Sequence, residues 1–465
     1  MLFSTSVFLF GFLPIVLFFN YVLFKKSRKL QNIFLTIASL FFYAWGEPSF
    51  VIVMFGSIIG NWAFALWISK VRENRKQVRI AMTMMVAANL GILFIFKYLM
   101  FTVKNINLIF NSEIFIPNIV LPIGISFFTF QAMSYVIDVY RKHGEVQKNP
   151  LNVALYVAFF PQLIAGPIVR YETVADQIKN RTETFSDFAE GVSRFAVGLM
   201  KKMLLANTLA VVADKSFAAD SPSVMFAWLG ALAYTFQIYY DFSGYSDMGI
   251  GLGKMFGFHF LENFDYPYIS KSITEFWRRW HMSLGTWFRD YVYFPLGGSR
   301  VDSQKRLVFN LFVVWFLTGL WHGANWTFLV WGLMYFGLIT IEKVTGFDKK
   351  IGIFGHFYTL LFVIAGWVIF KADSLTAAGI YLGNMVGIGS NGFIDAYAKF
   401  YLKENMFFFA GALLFSFPIA GYINSKLGKS KIFGFFYPIV ITAFFFLALT
   451  YVIKGSYNPF IYFNF

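Results

Sequence analysis

The chain has 465 residues, of which 58% are hydrophobic, 22% aromatic and only 14% charged, and its mean hydropathy is +0.61. This composition excludes the soluble protein classes and indicates an integral membrane protein. The net charge of +15 comes from basic residues in short loops beside apolar runs, a pattern of cytoplasmic loops near anionic lipid and not of nucleic-acid binding. Cysteine is absent, which excludes disulfides, thiolate metal sites and a cysteine nucleophile.

The apolar segments begin with residues 4–24, which are followed at once by a basic cluster at residues 25–29. Because no basic residues precede this segment and no small-residue cleavage site follows it, we expect a retained helix and not a signal peptide. A second basic loop, residues 70–79, lies two apolar segments further on. Both basic loops therefore fall on the cytoplasmic side, with the amino terminus outside.

The remaining segments predict the fold class. Residues 151–168 are interrupted by Pro161, Gly166 and Pro167, which makes them too short and broken for an ordinary span and typical of a re-entrant segment. With this segment included, the sequence predicts an all-α polytopic membrane protein of about eleven membrane helices. No attached soluble domain is predicted, so residues 1–465 form one membrane domain and any reaction in water requires a partner protein.

One titratable residue interrupts the apolar run at residues 311–330, which reads LFVVWFLTGLWHGANWTFLV and contains His322. An imidazole is costly in hydrocarbon, so an ionisable group at this depth is a candidate functional residue. The alternative is a histidine that only forms a hydrogen bond between packed helices. Gly319 and Gly323 leave room for a ligand or a second backbone, and Trp321 and Trp326 supply flat walls. We interpret His322 as the reactive centre.

Residues 270–300 combine tryptophans, a histidine and arginines. Ser272 and Glu275 have the spacing of a capping box, which predicts a helix from there to about Tyr293. This amphipathic helix would carry His281 on its aromatic side and lie at the membrane interface. An interfacial helix with snorkelling arginines explains the pattern equally well. The functional alternative is that arginines hold a phosphate-bearing donor; these are Arg278, Arg279, Arg289 and Arg300.

Polar residues elsewhere offer further candidates. The end of one apolar segment carries Asp241, Ser243 and Asp247. Three roles are open for these residues: orienting an imidazole, lining a polar tunnel, or simply capping a helix. The chain ends in an aromatic run, residues 460–465, which is either an interfacial anchor or, through the Tyr462 hydroxyl, an acyl acceptor. No metal site is predicted, because no partners stand at ligand spacing around the remaining histidines; these are His143, His259 and His356.

Five motifs, in order along the chain, resemble a known family. They are LPIGISFFTFQAMSYVIDVYR, FFPQLIAGPIVR, YYDFSGYSDMGIGLG, WRRWHMSLGTWFRDYVYFPLGG and LWHGAN. Together they are similar to the membrane-bound O-acyltransferase family, and within it to the bacterial branch concerned with O-acetylation of alginate and peptidoglycan. The resemblance implies a helical bundle around a central tunnel in the bacterial cytoplasmic (inner) membrane. It also implies that His322 is the intramembrane histidine and His281 the second family histidine.

The resemblance further implies an acetyl transfer across the membrane. Acetyl-CoA would be the cytoplasmic donor and His322 the general base. The acceptor hydroxyl would belong to Tyr462, within a tail that resembles an acyl-relay motif, or to a separate extracytoplasmic polysaccharide O-acetyltransferase of the SGNH type. The expected tunnel lining comprises Asp241, Ser243, Asp247, Trp321 and Asn325. Two alternatives stay open: a transporter or flippase of a polysaccharide precursor with a histidine proton relay, and a scaffold for a polysaccharide synthase.

Overall fold

Every regular element in the described part of the chain is a helix, so the all-α prediction is confirmed. The computed structural model describes residues 1–461 apart from Ala165, Lys429, Ser456 and Phe460, and it describes only the backbone of Asn424 and Lys431. The predictions about Tyr462 and about the 460–465 run as a whole therefore fall outside the described residues.

The helices are joined by connections of varied length. In chain order they are α1 (Leu13–Phe18), α2 (Arg28–Ala44), α3 (Val51–Lys70), α4 (Arg75–Leu93), α5 (Leu99–Phe110), α6 (Ile125–Arg141), α7 (Pro150–Ala158), α8 (Phe160–Leu163), α9 (Tyr171–Val174), α10 (Gln177–Asn180), α11 (Phe185–Met200), α12 (Asn207–Phe217), α13 (Val224–Met255), α14 (Ile273–Arg279), α15 (Met282–Phe288), α16 (Gln304–His322), α17 (Trp326–Thr345), α18 (Phe347–Lys350), α19 (Phe354–Lys371), α20 (Leu375–Met385), α21 (Ala396–Phe415), α22 (Ile419–Leu427) and α23 (Lys431–Ile453). π-Helical segments occur at Phe8–Phe12, Phe19–Leu23, Phe94–Tyr98, Lys201–Ala206 and Arg289–Tyr293, and one 3₁₀ turn at Pro267–Ile269.

Several of these helices have the length and composition of membrane spans. Within the described residues, six qualify: Val51–Lys70, Arg75–Phe110, Phe185–Phe217, Trp326–Thr345, Phe354–Lys371 and Ile432–Ile453. The bent pair Ala396–Phe415 and Ile419–Leu427 makes a seventh if it forms one span. A helix needs about 20 apolar residues to cross a bilayer, so the chain is a multi-pass membrane protein. The predicted total of about eleven segments stays a prediction.

The described chain divides into two compact units, and the first comprises Met1–Phe195 and Met248–Leu261. Its centre is α6, most of whose residues are buried and which packs against α3 and α4. Between α3 and α4, the side-chain amides of Asn61 and Asn89 exchange hydrogen bonds of 3.0 and 2.9 Å. Such reciprocal pairs satisfy polar groups that face apolar surroundings and hold membrane helices together.

The broken segment at residues 151–168 also belongs to this unit. It forms two short helices, α7 and α8, which are separated at Phe159 and buried along most of their length. Its break is therefore confirmed, because neither helix is long enough to span a bilayer. Its re-entrant placement in the membrane stays a prediction.

The second unit comprises Ala196–Asp247 and Glu262–Phe465, and it has an aromatic core. In this unit α16 packs along α17. A Cβ atom on Gly319 would lie 2.5 Å from the carbonyl oxygen of Phe328, and one on Gly332 would lie 2.6 Å from that of Trp315. The two glycines therefore let the helix backbones approach closely. Of the two uses foreseen for Gly319, a ligand or a second backbone, the structure shows the second backbone.

Candidate active site

His322 is the last residue of α16. The apolar run at residues 311–330 is not one helix, because the chain turns after His322 and α17 begins at Trp326. The Asn325 side chain caps α17 by accepting from the Thr327 N–H at 3.2 Å, and its amide nitrogen donates to the Asp373 carbonyl at 3.0 Å. In the structure Asn325 thus stabilises the turn that follows the histidine.

Aromatic rings enclose the imidazole of His322, which is 5% exposed. Its ring centroid lies 4.9 Å from Trp331, 5.1 Å from Phe370 and 5.0 Å from Trp321, with each pair of rings edge to face. Trp321 also contacts His281, with 6.0 Å between ring centroids. The two histidines that stand out in the sequence therefore share one tryptophan neighbour.

His281 breaks the helix that the sequence predicts as continuous to Tyr293. The predicted helix start is confirmed, since Ser272 Oγ accepts from the Glu275 N–H at 3.0 Å, while the Glu275 carboxylate accepts from the Lys271 N–H at 2.9 Å. However, α14 ends at Arg279. His281 then adopts a left-handed conformation with φ +45°, which is unfavourable for a residue with a Cβ and is concentrated at functional sites. The prediction of one uninterrupted helix is wrong here.

The cause of this break is a loop distant in sequence. The backbone N–H of Asp265 donates to the Arg279 carbonyl, and the backbone N–H of Met282 donates to the Asn263 carbonyl, both at 2.9 Å. These bonds use backbone groups that an unbroken helix would have paired within itself. Competition from residues 263–265 is therefore what turns the chain at His281.

The Asn263 side chain fixes the protonation pattern of His281. Asn263 Oδ1 accepts from the Ser283 backbone N–H at 3.1 Å and from the Ser283 hydroxyl at 2.9 Å, and it lies 3.1 Å from His281 Nδ1. A backbone N–H can only donate, so this amide atom must be oxygen, and Nδ1 must carry the ring proton. The lone pair of the neutral ring is consequently on Nε2, for which the described residues provide no hydrogen-bond partner.

His281 faces a cavity of about 220 Å³. The side chain is 2% exposed, and burial lowers the pKa of His281 to about 3, since desolvation disfavours the imidazolium. The ring is therefore neutral at physiological pH. Among the described residues, His322 does not line this cavity. Aromatic and aliphatic side chains form most of the wall, among them Trp277, Trp280, Leu284, Phe288, Tyr293, Leu311, Val314, Trp315 and Ile339.

The lining also includes three cationic side chains: Arg278, Arg289 and Lys343. Arg289 also pairs with its neighbour Asp290 at 2.7 Å. The structure thus brings two of the four arginines predicted as phosphate ligands to this cavity. Arg279 and Arg300 do not line it, and Arg279 is instead paired with Asp265 at 2.9 Å and Glu275 at 3.0 Å. Sequence reasoning missed Lys343, because a lysine in the last turn of a helix is unremarkable without its tertiary neighbours.

Glu342 is a second residue that the sequence did not reveal. Its carboxylate is 1% exposed and accepts from the backbone N–H groups of Ile273 and Thr274 at 2.7 and 2.8 Å. These are the first residues of α14, so the negative charge satisfies orphan donors and opposes the positive end of the helix dipole. This contact fixes α14, which carries Arg278, to the end of α17, which carries Lys343.

The polar residues of the YYDFSGYSDMGIGLG motif have a different arrangement from the one expected. Asp241 pairs with Lys202 and Asp247 pairs with Lys201, each at 2.7 Å. Neither carboxylate has a hydrogen bond to a histidine in the described structure, and neither they nor Ser243 line the cavity at His281. The prediction that Asp241, Ser243, Asp247, Trp321 and Asn325 line a tunnel stays a prediction.

In the first unit, the fold brings partners to His143 that its sequence neighbourhood did not suggest. His143 Nδ1 lies 3.1 Å from Glu172 Oε2, and one ligand atom from each of Asp138, His143 and Glu172 falls within 4.8 Å of the others. Arg170 also pairs with Glu172 at 2.7 Å, so a cation here would have to compete with an arginine already in place. We explain the group as an ion-pair cluster and assign no metal to it.

Comparison with known proteins identifies the family of the chain. Residues 143–376 match the model of the membrane-bound O-acyltransferase family. Over 396 residues the chain is 46% identical to the probable alginate O-acetylase of Pseudomonas syringae pv. tomato, an alignment that covers 84% of this chain and 76% of that protein. It is 36% identical over 425 residues to the peptidoglycan O-acetyltransferase of Helicobacter pylori, which covers 83% of this chain and 80% of that protein.

A more distant relative is the teichoic acid D-alanyltransferase of Bacillus subtilis, which is 31% identical over 239 residues, 48% of this chain and 59% of that protein. The protein is thus a multi-pass membrane acyltransferase. It belongs to the membrane-bound O-acyltransferase family, as its five motifs predicted.

Proposed function

We propose that this protein takes an acetyl group from cytoplasmic acetyl-CoA for the O-acetylation of a cell-envelope polysaccharide outside the bacterial cytoplasmic membrane. The observation that supports the proposal is an apolar cavity lined by a buried, neutral histidine and by three cationic side chains. Relatives named for alginate and peptidoglycan O-acetylation support the acceptor class. The whole chain, residues 1–465, acts as one acyltransferase domain in this proposal.

The cavity chemistry suits a thioester of coenzyme A. Arg278, Arg289 and Lys343 supply positive charge for the phosphates, and arginine forms paired hydrogen bonds with phosphate oxygens. The aromatic walls suit the acyl and pantetheine part, since small-molecule sites are mostly apolar with a few polar groups that orient the ligand. His281 Nε2 would accept a hydrogen bond from an amide N–H of the pantetheine arm and so orient the thioester.

His322 is the general base in this mechanism. It removes the proton from the acceptor hydroxyl as the oxygen attacks the thioester carbonyl, the carbon–sulfur bond breaks, and the CoA thiolate leaves and takes up the proton. The ring is enclosed by Trp321, Trp331 and Phe370, so water is largely excluded from the base. The acceptor hydroxyl is that of Tyr462, from which a separate SGNH-type transferase passes the acetyl group to the polysaccharide.

CoA release from acetyl-CoA by the purified protein tests the proposal directly. His322→Ala should lower the turnover number by about 100-fold or more, the usual contribution of a general base. His356→Ala, which removes a partly exposed histidine near the start of α19 that has no role in the proposed mechanism, is the matched control and should leave turnover unchanged. If the wild-type protein releases no CoA even with its extracytoplasmic partner added, acyl transfer is refuted and a transporter becomes the better explanation.

A second arm of the experiment separates donor binding from chemistry. Arg278→Gln should raise the KM for acetyl-CoA by about tenfold, the cost of one charge-assisted hydrogen bond. The same substitution should leave the KM for acetyl-pantetheine unchanged, because this donor lacks the phosphates. Arg279→Gln is the control, since Arg279 is paired with Asp265 and Glu275. An equal effect of Arg278→Gln on both donors would contradict phosphate binding in this cavity.

A further inference from the structure

A buried ion pair holds the described end of the chain. Lys202 Nζ and Asp241 Oδ1 lie 2.7 Å apart, with side chains 1% and 2% exposed. Lys202 Nζ donates to the carbonyl oxygen of Pro459, and Asp241 Oδ2 accepts from the backbone N–H of Ile461 at 3.0 Å. Each charged group therefore contacts both its ionic partner and the backbone of the C-terminal segment.

Other polar contacts hold the residues just before this point. Asn207 Nδ2 donates to Asn458 Oδ1 at 3.2 Å, and the Tyr457 hydroxyl donates to Asp214 Oδ2 at 2.8 Å. Asp214 is itself paired with Lys371 at 2.6 Å. Polar contacts thus hold Tyr457, Asn458, Pro459 and Ile461. We call Lys202 and Asp241, which contact the last two, the tail clamp.

The local structure around the tail clamp explains how two charges come together inside the protein. Lys202 lies in the π-helical segment Lys201–Ala206, and Asp241 lies on α13. A Cβ atom on Gly244 would lie 2.7 Å from the Gly198 carbonyl oxygen and 3.2 Å from Lys201 Cβ, so this glycine lets α13 approach closely. π-Helical turns are rare and concentrate at functional sites, which favours a role beyond packing.

Stability alone is a poor explanation for the tail clamp. Desolvating two charges costs about as much as their attraction returns, so buried ion pairs are often replaceable by apolar residues without loss of stability. Here Lys202 also donates to a peptide carbonyl and Asp241 also accepts from a peptide N–H, two residues apart in the chain. The pair recognises the backbone, and therefore it fixes the path of the segment whatever its side chains are.

This position matters because the next residue is Tyr462. The contact at the Ile461 N–H therefore holds the residue that immediately precedes Tyr462 in the chain. We propose that Lys202 and Asp241 are positioning residues that dock the C-terminal segment so that its tyrosine hydroxyl can receive the acetyl group. This inference rests on the proposed function, in which the phenol oxygen forms the ester bond, the carbon–sulfur bond of the thioester breaks, and the proton passes through His322 to the CoA thiolate.

Docking can be tested separately from activity, because the chain has no cysteine. In an Asn458→Cys protein, the only thiol reports on the segment through its rate of reaction with a polar maleimide. The double variant Lys202→Met/Asp241→Leu removes both charges together and leaves neither one unpaired, which is the change that buried ion pairs tolerate. We expect it to fold and to label about tenfold faster, since two charge-assisted hydrogen bonds to the segment are lost.

The matched control is Lys201→Met/Asp247→Leu. It removes the neighbouring ion pair, which has the same length, and keeps the pair that contacts Pro459 and Ile461. It should leave the labelling rate unchanged. In the tail clamp variant, turnover and the acetylation of Tyr462, measured by mass spectrometry, should fall about tenfold while the KM for acetyl-CoA stays constant, because the donor site is intact.

The possible results distinguish the docking inference from the proposed function. An unchanged labelling rate in the tail clamp variant overturns docking, whatever the activity. Faster labelling with normal turnover and normal acetylation of Tyr462 overturns the positioning role. If the wild-type protein shows no acyl transfer, the proposed function fails, while the labelling experiment still decides whether the tail clamp holds the segment.

Discussion

At the scale of single residues, the orientation of His281 depends on one amide oxygen. Asn263 Oδ1 faces His281 Nδ1 at 3.1 Å and leaves the lone pair on Nε2. Burial lowers the pKa of His281 to about 3, so the wild-type ring stays neutral from about pH 5 to pH 8. Its titration should therefore contribute no loss of activity within that range.

Asn263→Asp should create such a loss of activity. A carboxylate beside Nδ1 stabilises the imidazolium and raises the pKa of His281 from about 3 toward neutrality. As the pH falls through this raised pKa, Nε2 becomes protonated and can no longer accept a hydrogen bond from the donor, so turnover should decrease at the acidic end. The measurement is turnover by CoA release from about pH 5 to pH 8.

Ser283→Ala is the matched control, because it removes one hydrogen bond to the same amide oxygen without adding a charge. Its profile should keep the wild-type shape even if its overall activity is lower. Parallel profiles for the wild-type and Asn263→Asp proteins would contradict a role for the neutral His281 ring in turnover.

The sequence singled out His322 and His281 as candidates, whose catalytic roles stay predictions, but it did not reveal the residues that surround them. His322 and His281 stand out because an imidazole is rare among apolar and aromatic neighbours. Asn263 lies in a loop where asparagine is ordinary, and its contact with His281 spans 18 positions. A single sequence carries no signal for such a pairing, since it arises only when the chain folds.

At the scale of helices, signals from neighbouring residues predicted where a helix begins. The effect of distant residues on where a helix ends could not be predicted. The capping box at Ser272 predicted where α14 begins, because its hydrogen bond joins residues three positions apart. The end of α14 was mispredicted, because Asp265 and Asn263 take over backbone groups near His281. Helix starts encoded in adjacent residues are therefore predictable, whereas a break imposed by a distant loop is not.

The attachment of α14 by Glu342 yields a prediction at the same scale. Glu342→Gln removes the negative charge and leaves one amide oxygen for the two N–H donors of Ile273 and Thr274. Loss of such a capping interaction costs about 1–2 kcal/mol, so the variant should unfold at a lower temperature in detergent. Because α14 carries Arg278, the KM for acetyl-CoA should rise as well.

Lys343→Gln, one residue further along α17, is a useful comparison for Glu342→Gln. It removes a charge from the cavity lining without removing an acceptor from the start of α14. We expect it to raise the KM but to leave the unfolding temperature close to that of the wild type. Equal unfolding temperatures for the wild-type and Glu342→Gln proteins would show that the carboxylate does not stabilise the attachment of α14.

At the scale of the whole molecule, composition and motif order were sufficient to predict an all-α membrane protein and its family. Both properties are distributed over hundreds of residues, so they do not depend on any one contact. The tail clamp could not be predicted in this way, because Lys202 and Pro459 are 257 positions apart. Asp241 was recognised as a notable carboxylate, but its partners are visible only in the folded chain.

The orientation of the chain in the membrane provides the last prediction. Basic loops stay in the cytoplasm because translocating them is unfavourable. This rule predicts that residues 70–79 lie in the cytoplasm and that the loop after α5, one membrane span later, lies outside. In the cysteine-free chain, Glu113→Cys should react with an impermeant maleimide in intact cells, whereas Lys76→Cys should react only after permeabilisation.

The same reagents locate the donor side of the enzyme. Acetyl-CoA is a cytoplasmic donor in the proposed function, and Ser299 is an exposed residue shortly after Arg289 and Tyr293, which line the cavity. Ser299→Cys should therefore behave like Lys76→Cys and react only after permeabilisation, and excess CoA should slow its labelling because the bound phosphates would lie near this loop. Labelling of Ser299→Cys in intact cells would place the cavity opening outside, where a cytoplasmic thioester cannot reach it, and acetyl-CoA would have to be given up as its ligand.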